Sequence, residues 1–188
     1  MTTENNKNIK ILGFAGSLRK GSFNKMLLNA VRELAPEEME IEIFNLEGIV
    51  PFNQDFENEP NEKLKIFKEK IRSADGLLIV TPEYNYSIPG VLKNAIDAVS
   101  RPYGTNPFEE KPIGIMGTSI SMLGSARAQY HLRQSLVFLN AYPMNKPEIM
   151  VPYAEKKFDQ SGKLTDEFTR KMVKEFMANL LKWVNKLK

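Results

Sequence analysis

Short apolar runs alternate with amphipathic stretches from one end of the chain to the other. Residues 9–15 are near-continuously apolar, as a strand buried on both faces requires. Met26, Leu27, Val31 and Leu34 then recur at helical spacing in a helix starting near Met26, and Pro36 marks its stop. Ile41, Ile43 and Phe44 predict a second strand, Leu64, Phe67 and Ile71 a second helix, and residues 77–80 a third strand. After Pro89, the spacing of Val91, Leu92, Ala95, Ile96 and Val99 predicts a helix with a broad inner face. Residues 113–116 read as a fourth strand, and Leu132, Leu136 and Leu139 line a fourth helix. A short fifth strand falls near 148–151, and the last helix carries Phe168, Met172, Phe176, Leu180 and Trp183. Residues 46–60 form a polar, Pro-containing loop long enough to suggest a function, with Pro51, Phe52 and Asn53 placed to cover a neighbouring copy's site.

Strict β/α alternation predicts an α/β fold with a five-stranded parallel sheet and helices on both faces. No repeat, low-complexity tract or linker divides the pattern, so 1–188 reads as a single domain. In such sheets ligands bind beyond the carboxyl ends of the strands, where strand order reverses. The loops after strands one, three and four therefore carry the chemical information.

The first of these is Gly16-Ser17-Leu18-Arg19-Lys20-Gly21-Ser22-Phe23-Asn24, joining a strand to a helix. Such a turn aims backbone N–H groups and the positive end of the helix dipole at its contents. Ser17, Ser22 and Asn24 add short donors, and Arg19 adds a fixed cation suited to phosphate. The loop lacks both the P-loop pattern and Gly-x-Gly-x-x-Gly, which points to a single phosphate group. The same residues also suit an ordinary Ser/Asn-capped helix start.

The second, Thr81-Pro82-Glu83-Tyr84-Asn85-Tyr86-Ser87-Ile88-Pro89-Gly90, is stiffened by prolines and offers two aromatic faces, which suits the edge of a planar heterocycle. The alternative packs both tyrosines into a core or an interface. The third, Gly117-Thr118-Ser119-Ile120-Ser121-Met122-Leu123-Gly124-Ser125, is small and polar enough to admit a ligand close to its backbone.

Composition narrows the choices further. A net charge of +3, with bases and acids interleaved, gives no footprint for nucleic acid. The late lysines Lys182, Lys186 and Lys188 complement a helix C-terminus. The absence of cysteine rules out disulfides and thiolate chemistry. With a polar start over residues 1–10 and no long apolar run, a soluble cytoplasmic protein without a membrane span is expected. His131 stands alone, without the clustered ligands a metal needs, and reads as a helix-packing or interface residue. Arg101, Arg127 and Arg133 suit either a subunit boundary, favoured for Arg133, or an extra phosphate group on a ligand. The nine methionines read as core filler.

Residues 16–24, together with the run from Thr81 through Val91-Leu92-Lys93-Asn94-Ala95-Ile96-Asp97, resemble the NAD(P)H-dependent FMN reductase family. Gln129-Tyr130-His131-Leu132-Arg133-Gln134 and Met144-Asn145-Lys146-Pro147-Glu148 are similar to its bacterial quinone/chromate reductase branch. The likeness spans about residues 8 to 150. It implies a flavodoxin-like fold, bound FMN, NADPH or NADH as co-substrate, and a homodimer or homotetramer. Carried over by motif, Ser17, Arg19, Ser22 and Asn24 hold the FMN phosphate, with Phe23 in the same cofactor-binding loop. Pro82, Glu83, Tyr84 and Asn85 flank the ring, Glu83 through its backbone with its carboxylate engaged elsewhere, and Ser119 lines the third side. The implied acceptors are small molecules: quinones, azo compounds, chromate or free flavin. No catalytic side chain is implied, because the cofactor carries the chemistry and the protein supplies position and polarity. The branch reads Gly-Gly where this chain has Gly124-Ser125, an added side chain expected to narrow the pocket mouth. Two rival readings are a flavodoxin-type electron carrier and an FMN-binding regulatory protein. The slightly basic balance and Arg19 both argue against the carrier.

Overall fold

The computed structural model describes residues 8–59 and 61–188; the first seven residues of the polar start and residue 60, the end of the predicted 46–60 loop, lie outside them. Strand β1 (Ile9–Ala15) leads into helix α1 (Phe23–Leu34), followed by β2 (Met39–Phe44), α2 (Glu62–Ser73), β3 (Gly76–Val80) and α3 (Gly90–Val99). Then come β4 (Pro112–Thr118), α4 (Ala126–Phe138), β5 (Tyr142–Pro143), β6 (Ile149–Val151) and α5 (Glu167–Leu187). Pairing is parallel throughout, in the order β2-β1-β3-β4-β5, which is the flavodoxin-like order.

The predicted fifth strand is in fact two short pieces. β5 pairs with Pro112 and Ile113, and β6 with Met116 to Thr118. Residues 144–148 separate the two pieces, and proline at 147 cannot donate a ladder hydrogen bond. Helix α1 begins three residues before Met26, because Ser22 caps it and accepts from Lys25 N–H at 3.4 Å. Leu139 lies just past the end of α4 but is buried as predicted.

The strands are buried on both sides. On one face α1 and α5 pack over Ile11, Leu78, Val80 and Met116; on the other α2, α3 and α4 cover Leu12, Phe14, Leu77 and Ile115. Phe67 of α2 meets Phe14 edge-on at 5.2 Å and stacks on Phe44 at 4.5 Å. Helix α5 approaches closely where the sheet has glycine: a Cβ on Gly76 would stand 2.8 Å from Val184 Cγ2, and one on Gly114 3.0 Å from Phe176.

The inner face of α5 keeps Phe176 and Leu180 as predicted, with Met172 and Trp183 partly buried against the core, but it does not include Phe168. Thr169, Val173, Phe176, Met177, Leu180 and Val184 are buried, whereas Phe168 is 70% exposed. Trp183 is half-buried and donates its indole N–H to the Tyr142 carbonyl at 2.8 Å, so it ties α5 to the sheet edge. Lys188, expected to serve the helix dipole, pairs with Asp75 at 2.9 Å. The described methionines divide: Met39, Met116, Met144 and Met177 are core, but Met122 is 70% exposed. Among the described residues, no helix is long and apolar enough to cross a membrane.

Asp166 caps α5, accepting from Thr169 N–H at 2.9 Å and its hydroxyl at 2.6 Å, with Lys157 at 3.2 Å. The Thr169 hydroxyl first, and its N–H next, hold this carboxyl below the usual aspartate range. A folded-state pKa lowered in this way adds stability above the ordinary aspartate pKa, lost as pH falls through the lowered value. Asp166→Ala should cost about 0.5–2 kcal/mol at neutral pH. In urea unfolding, the gap to the parent should narrow below about pH 4; a gap independent of pH would contradict the assignment.

Candidate functional site

Because β1, β3 and β4 are neighbours, the loops that follow them meet at one sheet edge. Backbone bonds lock their bases together: Gly16 N–H donates to the Val80 carbonyl and Thr81 N–H to that of Met116, both at 2.9 Å.

In the first loop, the N–H groups of Phe23 and Asn24 open α1 and find no acceptor within it. Ser17 is 3% exposed, yet its hydroxyl has no partner among the described residues. Arg19 is exposed, pairs with no carboxylate among those residues, and folds its guanidinium back to 3.8 Å from where a Gly21 Cβ would stand. The Phe23 ring stacks on Phe158 at 5.7 Å, which leaves its N–H as the group facing a ligand. Asn24 departs from the expected donor role. Its amide N–H donates to the Thr118 carbonyl at 2.9 Å, and its oxygen accepts from Thr118 N–H at 3.0 Å. This buried clamp fixes α1 to the end of β4, so the side chain acts as a strut and only the backbone N–H is left for a ligand.

In the second loop, Tyr84 and Ser87 exchange two backbone bonds of 3.0 Å around Asn85 (φ 50°) and Tyr86 (φ 67°). Two left-handed residues make this a type I′ hairpin turn, easy for asparagine and strained for tyrosine. Tyr84 is 52% exposed and Tyr86 67%, so the alternative of tyrosines packed in the core does not hold. Arg127 of α4 lies over the Tyr86 ring at 3.5 Å, and His131 Nδ1 bonds the Ser87 hydroxyl at 3.0 Å. His131 therefore fastens the hairpin to α4. Pro82 is buried, and the Glu83 carboxylate is engaged away from the loop, as expected: it pairs with the Arg127 guanidinium and accepts from Arg127 N–H at 3.0 Å. The Glu83 hydrogen bond raises Arg127 further above the ordinary arginine range.

In the third loop, half-buried Ser119 donates its N–H to Val151 at 3.1 Å and accepts from Ser121 N–H at 3.0 Å through its hydroxyl. Ile120 and Met122 stand out into solvent beside it. Ser125 does not narrow the mouth. It is 1% exposed, and its hydroxyl is turned inward, 2.0 Å from where a Gly117 Cβ would stand and 3.3 Å from Gln129 Nε2.

Other candidates lie apart from this cluster. Arg101 covers Tyr103 at 3.8 Å. Arg133, read as an interface residue, donates to the Met144 carbonyl at 2.9 Å within the chain; burial lowers its pKa, against an opposing pull from Glu148. The 46–60 loop is held by Asn94, which accepts from Phe52 N–H at 2.7 Å and donates to the Val50 carbonyl at 2.9 Å. A cavity of about 230 Å³ lies under it, lined by Ile49, Phe52, Phe56 and Leu64.

Two orphaned helix N–H groups, an unpartnered hydroxyl and an unpaired guanidinium fit one phosphate group. An exposed aromatic hairpin opposite a backbone-rich turn fits the edges of a flat heterocycle. Sequence reading missed the Asn24–Thr118 clamp and the hairpin. The clamp joins residues 94 positions apart, and the turn lacks the Asn-Gly or Asp-Gly pair that usually announces it.

Residues 9–156 match the NADPH-dependent FMN reductase family. An NAD(P)H-dependent FMN reductase of Pseudomonas aeruginosa is 47% identical over 181 residues, covering 96% of this chain and 97% of that protein. A 2-hydroxy-1,4-benzoquinone reductase of a Burkholderia species is 43% identical over 176 residues, covering 94% and 96%. Among solved structures, the flavoenzyme NAD(P)H:(acceptor) oxidoreductase of Paracoccus denitrificans superposes with a TM-score of 0.88 at 33% identity, covering 95% of this chain and 98% of that one.

Asn24→Ala strands the buried Thr118 N–H and carbonyl. It should destabilise the cofactor-free protein by about 2–3 kcal/mol in chemical denaturation. A loss below about 0.5 kcal/mol would show that the clamp bears no strain.

Proposed function

Since the chain belongs to the NADPH-dependent FMN reductase family, we propose that its three loops hold FMN for two-electron transfer from NADPH or NADH to small acceptors. The protein is an oxidoreductase of flavodoxin-like fold. When bound, FMN supplies the redox chemistry; per turnover, one NAD(P)H, one proton and one quinone give one NAD(P)+ and one hydroquinone.

The chain's own residues bind, orient and leave access. The Ser17 hydroxyl, the Arg19 guanidinium and the Phe23 and Asn24 N–H groups hold the phosphate, with Ser22 fixing the helix start. Pro82, Glu83, Tyr84 and Asn85 present a rigid backbone edge to the ring, and Ser119 lines its far side. The observation that carries this reading is the unpaired Arg19 beside an open helix N-terminus, at the same sheet edge as the exposed Tyr84 hairpin. Exposed Tyr84, Tyr86, Ile120 and Met122 give the mouth a flat, weakly polar lining suited to quinones. Azo compounds, chromate and free flavin fall within the same acceptor class.

The whole of 1–188 serves this site as one domain, working in the cytoplasm as a homodimer or homotetramer, with neither nucleic acid nor membrane as a partner. The outer face of α4 supports self-association: Tyr130, Val137 and Phe138 are 52%, 77% and 75% exposed, an apolar stripe a lone subunit leaves wet. Mass measured in solution should exceed that of one chain; a monomer at micromolar concentration would remove this part of the reading.

The deciding experiment is an absorbance spectrum of purified protein reconstituted with FMN, followed by anaerobic NADPH and then a quinone. Flavin bands that bleach and return establish the reductase; bands that persist with both NADPH and NADH would indicate a carrier or scaffold. Arg19→Ala should weaken FMN binding by about 1.5–3 kcal/mol through loss of a charge-assisted bond. Equal affinity in variant and parent would remove the phosphate assignment. Tyr84→Ala should lower flavin affinity or turnover more than His131→Ala does, and the reverse ranking would overturn the role given to the second loop.

A further inference from the structure

Glu83 sits in the loop after β3, but its carboxylate does its bonding at the start of α4, beyond the loop after β4. The side chain is 8% exposed. One oxygen accepts from Arg127 N–H at 3.0 Å and Ala128 N–H at 3.3 Å, while the other takes Arg127 Nε at 2.5 Å together with its Nη2. These backbone donors belong to the first turn of α4, which its own cap residue leaves unserved. Ser125 is left-handed at φ 69°, makes no capping bond and turns its hydroxyl inward to Gln129. A carboxylate from a separate loop thus fills the role that a neighbouring serine normally plays, and it brings a full negative charge to the positive end of the helix.

The chain of contacts continues. The guanidinium held by Glu83 covers Tyr86, the second left-handed residue of the hairpin, and His131 one turn further along α4 holds Ser87. We propose that Glu83 is a positioning residue for the flavin ring: its one carboxylate fixes the hairpin after β3 against the turn after β4, and so sets the slot between them. The proposal rests on the FMN reading above. The physical reason is preorganisation. A planar group enters tightly only where the two walls are already ordered, and each wall here carries strained backbone that frays without a brace. The phosphate cradle is built separately on α1, so Glu83 acts on the ring and not on the phosphate.

That separation makes the test specific. FMN and riboflavin, which shares the ring but lacks the phosphate, are titrated into parent, Glu83→Ala, Glu83→Gln and Arg19→Ala. Exchange of the Arg127 and Ala128 amides is followed in the cofactor-free protein. Glu83→Ala should weaken both ligands by the same factor, tenfold or more, shift the visible bands of bound flavin and speed exchange at both amides. Glu83→Gln keeps an acceptor but not the ion pair, and should recover part of each effect. Arg19→Ala should weaken FMN alone. Should Glu83→Ala fail to fold, Glu83→Gln carries the same comparison. FMN affinity within twofold of the parent in the Glu83 variants, with unchanged bands, overturns the proposal and leaves the cofactor site standing. So does a loss confined to FMN. A parent that binds neither ligand overturns both the proposal and the site.

Discussion

The parallel pairing of β1 with β3 and of β3 with β4 is the constraint on which the rest of this molecule depends. It places the carboxyl ends of three strands side by side although their loops are far apart in sequence. It also reverses the direction of winding between β1 and β3, so α1 leaves toward one face and α3 toward the other. A crevice between diverging helices follows from that reversal. Small residues let the elements close at its base, as where Leu92 of α3 would stand 3.1 Å from a Cβ on Gly16.

Within that frame, polar side chains divide into those that brace and those left for ligands. Asn24, Glu83, Asn94, Gln129 and Arg133 are polar side chains of kinds that can bind ligands. The structure commits each of them to a neighbouring strand, helix or loop through a partner's backbone. The physical reason is that a loop carried close to a packed sheet buries peptide groups that must find partners, and a side chain supplies them where no strand is available. Ser17 and Arg19 are not spent in this way, and neither are the first N–H groups of α1. A site can be recognised here by what its residues leave unpaired.

Backbone strain occurs at both ends of the sheet, more of it at the candidate site. Of the described non-glycine residues with positive φ, Asn85, Tyr86, Ser125 and Tyr153 lie just beyond β3, β4 or β6, whereas Glu110 and Asn140 lie just before β4 and β5. Such conformations persist only where surrounding contacts over-determine them. The contacts are visible: Arg127 on Tyr86, Gln129 on Ser125, and the Ser121 carbonyl accepting from Tyr153 N–H at 3.4 Å. The sheet edge of the candidate site thus holds most of these costly shapes, each kept by tertiary contacts.

Local pattern was enough for the β/α order, the strand cores and the three loops, because burial on both faces writes continuous apolar runs and helical spacing into the chain. It also singled out Arg19 and Ser17, whose side chains find no partner among the described residues beside the start of α1. It misled at one position of α5: Phe168 fits the period, but Thr169 is the residue turned inward. The split edge strand, the turn of Ser125 into the interior and the tasks of Asn24, Glu83 and Arg133 were decided by tertiary structure alone. Each of these depends on a partner eleven to ninety-four positions away, or on a left-handed backbone that nothing nearby announces. Sequence spacing records what a residue does for its own helix or strand; which distant peptide group it must satisfy is settled only when the sheet has closed.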